Sequence, residues 1–138
     1  MSAPPPVNDR TTLKVGLTSF AYRWHIREGM TVLRLIEEAA SLNAEVVQIA
    51  DNISMDALSL AEMKELGRHA NDLGLAIELG VSDPTPAEWL RHLERCQAFE
   101  TRILGVVFEA KNGYANPAGA AAGLTARVPV LRDTGITL

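Results

Sequence analysis

Four polar side chains interrupt or end apolar segments of this chain. Gln48 sits inside "AEVVQIAD", Asp51 ends it, Glu78 sits inside "LAIELGV", and Glu109 follows "RILGVVF". An amide or carboxylate at such a position either hydrogen-bonds a neighbour or faces a ligand. A carboxylate buried without a partner has a raised pKa or destabilises the fold, which makes Glu78 the most informative of the four. Its role is open at this point: a ligand contact and an interior structural contact fit equally. Asp51 has the same two readings, and the Asp51-Asn52 pair is also turn chemistry. Phe20, Tyr22 and Trp24, followed by His25, close another apolar segment. They read either as the wall of a pocket or as loop packing.

The remaining chemistry-bearing residues have plainer readings. His69 and His92 stand among polar neighbours in helical segments, with no HxxxH or HxH spacing, and read as solvated side chains. Cys96 is the only cysteine, so no internal disulfide is possible, and it reads as core. The runs "KELGR" and "RHLER" read as solvated helix faces.

The elements that position these residues alternate. "LKVGLTSF" (13–20), "AEVVQIAD" (44–51), "LAIELGV" (75–81) and "RILGVVFEA" (102–110) read as strands. Between them, 31–43, 59–74 and 85–100 read as amphipathic helices. Ser59 with Glu62, and Thr85 with Glu88, have capping-box spacing, and Pro86 suits a first helical turn. Asn43 and Gly74 suit helix ends. Segment 117–135 reads as one further helix, weakened by Gly123 and Pro129, before "ITL" begins a fifth strand. By period-two alternation, Val47 and Ile49 face the helices and Gln48 faces away; Ile77 and Leu79 do the same around Glu78.

Strand–helix units of about 30 residues predict parallel strands with helical crossovers. Two α/β architectures follow: roughly half of a TIM barrel, or an open doubly wound parallel sheet. No GxGxxG or GxxxxGK[ST] loop follows any strand. With 138 residues, the chain suffices for one domain over 13–138, behind a Pro-rich leader at 1–12 that reads as disordered. A net charge of −4 argues against nucleic acid or an anionic membrane surface as main partner. The single cysteine and the lack of a signal peptide or spanning segment fit the cytoplasm.

The segments "LKVGLTSFAYRW", "AEVVQIADN", "ANDLGLAIELGV" and "VPVLRDTGITL", in this order and spacing, resemble the sugar-phosphate isomerase/epimerase family, the xylose-isomerase-like TIM barrels. The resemblance covers almost the whole chain, and no single motif carries it. It implies metal-dependent aldose–ketose isomerisation or epimerisation through an enediolate, with a divalent metal such as Mn or Mg. A whole barrel needs on the order of 250 residues. The family's metal ligands, acidic and histidine side chains on strands five to eight, would all fall past Leu138. The chain then reads as an N-terminal half, inactive alone, whose Phe20, Trp24, Gln48, Asp51, Glu78 and Glu109 line a site for a sugar or sugar phosphate. The loop "KNGYANPAG" is long enough to fold over such a pocket. Completion would come from a C-terminal half or from self-association. The second reading is a non-catalytic half-barrel that binds or assembles.

Overall fold

In a computed structural model of the chain, residues 13–108 and 116–138 are described. The leader at 1–12 and Glu109, with most of the loop after it, lie outside the described residues.

The first strand, β1 (Gly16–Thr18), is shorter than expected and gives way to a 3-10 turn at Ser19–Tyr22 and a short helix, α1 (Arg23–Arg27). Eight more elements follow: α2 (Val32–Ser41), β2 (Val46–Ile49), α3 (Leu60–Asp72), β3 (Ala76–Ser82), α4 (Pro86–Ala98) and β4 (Leu104–Val107), then α5 (Pro117–Thr125) and α6 (Val128–Thr134).

Local hydrogen bonding sets the helix boundaries. The Thr31 hydroxyl accepts from Arg34 N–H at the start of α2, and full capping boxes open α3 and α4. Asn43 takes the left-handed conformation beyond α2, with φ 57°. The expected single helix over 117–135 is two helices. The chain turns at Ala126–Arg127, and Pro129 falls in the first turn of α6, where its missing N–H costs nothing. Gly135, at φ 68°, ends it.

The four strands pair in parallel in the order β1-β2-β3-β4. Beyond β4, Thr137 donates its N–H to Arg102 O at 2.7 Å and accepts from Leu104 N–H at 3.0 Å, occupying a fifth position at that edge. Each crossover thus advances the sheet in one direction. Right-handed crossovers in one direction place their helices on one face, as in a barrel wall. A doubly wound sheet reverses its order at a switch point, and no reversal occurs among the described strands.

The core lies between that face and the helices. Val47, Ile49, Ile77, Leu79 and Leu104 from the strands meet Leu35, Ile36, Met63, Ala70, Trp89 and Leu93 from α2, α3 and α4. Among the described residues, no helix is long and apolar enough to cross a membrane.

Candidate functional site

The opposite face of the sheet carries small and polar residues. Thr18, Gln48 and Glu78 are register partners on three adjacent strands and form a row across it. With Lys14, Gly16 and Val46 they line a concavity of about 420 Å³. Gln48 and Glu78 are each half-buried. The deep burial considered for Glu78 is therefore not found in this chain, since no element covers this face among the described residues.

Glycines shape the floor beside that row. Gly80 and Gly105 are register partners on β3 and β4. A Cβ on Gly105 would stand 3.3 Å from Gln48 Nε2, and one on Gly80 would stand 3.5 Å from Gln48 Cδ. The amide of Gln48 thus lies over a trough that side chains would fill. The sequence analysis missed these glycines; glycine inside a strand is the available signal for such close approach.

The carboxyl ends of the strands are tied together by side chains. Ser19, fully buried, accepts from Ala50 N–H at 2.9 Å and donates to Asn52 Oδ1, while Asn52 Nδ2 donates to Ser19 O at 3.1 Å. Asp51 accepts from Ser82 N–H at 2.8 Å, joining the ends of β2 and β3. Asp51 therefore has a structural partner, in keeping with the turn reading of Asp51-Asn52, while Ser19 was not singled out from the sequence. Asp83 N–H, in a left-handed residue at φ 42°, donates to Val107 O at 2.8 Å.

Phe20 and Trp24 stand past the end of β1, about half exposed and 60% exposed. They do not line the concavity that holds Gln48 and Glu78. The structure thus joins two of the expected site residues, ties Asp51 to the backbone, and leaves the two aromatics at the rim. Glu109 lies outside the described residues.

A second polar group lies beneath the helices. His92 is buried, contrary to the solvated reading, and its Nδ1 has no hydrogen-bond partner among the described residues; neither has Trp89 Nε1, one helical turn earlier. Burial, with the Arg95 and Arg91 charges, holds the His92 pKa below the ordinary histidine value. Arg95 is also buried and donates to Asp56 at 2.6 Å. The apolar stripe of α4 explains the error: Trp89, Leu93 and Cys96 set the buried face, and His92 falls within it. Cys96 is fully buried, and desolvation pushes its thiol up to about 12, which leaves it an inert core residue.

Among the described residues, no three His, Cys, Asp or Glu side chains converge as a metal would require. These residues therefore do not fit the divalent metal that the resemblance implies, and no chemical step is derived through one.

The site is thus an amide–carboxylate row on the uncovered face of a sequential parallel sheet, an arrangement consistent with part of a barrel wall. No protein-family model matches the chain. It is 29% identical over 100 residues to 3-oxo-isoapionate decarboxylase of Pectobacterium atrosepticum, a match that covers 70% of this chain and 36% of that protein. The chain thus spans about a third of the length of the curated relative it matches.

Proposed function

We propose that this chain forms the substrate-binding first half of a xylose-isomerase-like barrel that generates an enediolate or enolate from a polyhydroxylated carbonyl compound. The observation that carries this reading is the row of Thr18, Gln48 and Glu78 on the uncovered face of a sequential sheet. An amide N–H donates to a substrate carbonyl or developing oxyanion, and a carboxylate accepts from sugar hydroxyls. Such groups orient a ligand without themselves moving its protons.

The reaction class is either sugar or sugar-phosphate isomerisation/epimerisation, as the resemblance implies, or decarboxylation of a 3-oxo acid, as the name of the relative suggests. The two share an intermediate type. Moving a proton between adjacent carbons of an aldose passes through an enediolate, and loss of CO2 from a 3-oxo acid leaves an enolate. The complementary strands would come from further polypeptide or from a second copy of the chain, and the ligands for a divalent Mn or Mg ion from further polypeptide.

The non-catalytic assembly reading draws on a different observation. Leu13 and Val15 are 90% and 71% exposed beside the β1 edge, and Val107 is exposed at the end of β4, beyond the single pairing that Thr137 makes with Ile103. Apolar surface beside unpaired strand edges favours association.

The test is an NMR titration of the chain with D-xylulose and D-xylose. The Gln48 side-chain amide and the Glu78 backbone amide are expected to shift, and Gln48→Ala with Glu78→Ala is expected to abolish the response. No shift at Gln48, or shifts centred on Gly67 and Phe99 in the adjoining cavity that Glu78 also lines, would overturn the proposal.

A further inference from the structure

The segment after β1 carries an arrangement that the row on the inner face does not use. Arg23 and Arg27 are one turn apart on α1, and both guanidinium carbons lie over the ring of Trp24, at 5.4 and 4.8 Å from its centroid. Like charges at this spacing destabilise a helix. Four other arginines are paired with carboxylates: Arg34 with Glu37 and Glu38, Arg68 with Glu65, Arg91 with Glu88, and Arg95 with Asp56; Arg102, Arg127 and Arg132 have no ion pair among the described residues but do not stand against an aromatic ring there. Among the described residues, neither Arg23 nor Arg27 has an ion-pair partner. The indole between them remains 60% exposed, with Phe20, also exposed, four residues before it.

Two unneutralised guanidinium groups held against an aromatic face, in a chain of net charge −4, make a local cationic clamp. The stack on the indole restrains both side chains, so less conformational freedom is lost when they close on an anion. A guanidinium matches the planar or tetrahedral oxygens of carboxylate and phosphate. The clamp also stands past the carboxyl end of β1, the end at which barrel enzymes bind their substrates.

We propose that Arg23, Trp24 and Arg27 form a subsite for the anionic group of the substrate, a carboxylate or a phosphate, so that the barrel selects acidic over neutral sugars. This inference rests on the substrate-binding reading above and narrows the substrate class.

The experiment follows the Trp24 indole N–H and the arginine Nε–H signals of the full chain by NMR at constant ionic strength. The probes are D-xylonate, D-ribose 5-phosphate, inorganic phosphate and the neutral sugar D-xylose. The expected result is saturable shifts at Trp24, Arg23 and Arg27 with the anions and none with D-xylose. The stronger of xylonate and ribose 5-phosphate identifies the anion as carboxylate or phosphate. Arg23→Gln with Arg27→Gln is expected to weaken anion binding at least ten-fold, while Arg34→Gln leaves it unchanged. Equal response to D-xylose, unaltered affinity in the double variant, or no response to any anion would overturn the subsite. If Gln48 and Glu78 respond to sugars while Trp24 ignores anions, the subsite alone fails. If Trp24 responds to anions while Gln48 and Glu78 ignore every sugar, the inner-face reading alone fails.

Discussion

The two faces of the sheet are built from neighbouring residues and have opposite character. Toward the helices stand Val47, Ile49, Leu79 and Leu104, none of them exposed. Toward the other side stand Gln48 and Glu78, half-buried, with Gly16, Gly80 and Gly105 around them. One residue of register separates a position filled by close-packed hydrocarbon from one left to an amide and a carboxylate. A strand can serve both purposes because its side chains alternate strictly. The contrast teaches that the close-packed core resides on the helical face, while the other face holds polar groups in reach of solvent.

The strongest way to break this division is a pair of substitutions at adjacent positions. Leu79→Ala removes a fully buried side chain and is expected to destabilise the chain by about 2–5 kcal/mol. Glu78→Ala, next to it, is expected to change stability by no more than about 0.5 kcal/mol. Urea unfolding of both variants measures the difference, and equal losses would mean that the two faces share the core.

A second break lies where the open face admits no side chain. A Cβ at Gly16 would come within 2.7 Å of Val46 O. Gly16→Val is therefore expected to separate β1 from β2 and cost about 1–3 kcal/mol, read as a lower midpoint in the same urea titration.

A smaller effect is expected in the covering layer. Ser59→Ala removes the cap whose hydroxyl accepts from Glu62 N–H at 3.2 Å. It should cost about 1 kcal/mol, with the loss of amide-exchange protection concentrated in the first turn of α3.

The least effect at neutral pH, appearing only on acidification, comes from His92. Its folded pKa is lowered by burial, so the unfolded chain binds the proton more readily. The neutral imidazole's contribution is complete above the unfolded value of about 6.5 and is lost as pH falls below it toward the folded pKa. His92→Gln is expected to flatten that part of the stability–pH curve. An unchanged slope in the variant would assign it to other groups.

Much of the layout was legible in the sequence. The capping boxes at Ser59–Glu62 and Thr85–Glu88, and the turn of Gln48 and Glu78 away from the helices, are present as expected. Such features depend on contacts within one helical turn or on the two-residue period of a strand. Other relations needed distant information, and one residue was misread for want of it. His92 looks solvated beside Arg91 and Glu94, yet its helix buries it on the face shared by Trp89, Leu93 and Cys96. Asp51 carries no mark of Ser82, 31 residues away, whose N–H it accepts. The region 117–135 reads as one helix until the break at Arg127 gives Pro129 a place in a new first turn.

By itself the sequence determined the alternation of elements, their caps, and which side chains share a face, because those follow from hydrogen bonds and periodicity among near neighbours. Only the tertiary structure decided that the strands line up in one direction, that Thr18, Gln48 and Glu78 fall in a single row, and that the glycines of β3 and β4 leave room beneath an amide. Those relations join segments some thirty residues apart. Their register is set by how each helix packs back against the sheet, which no local pattern encodes.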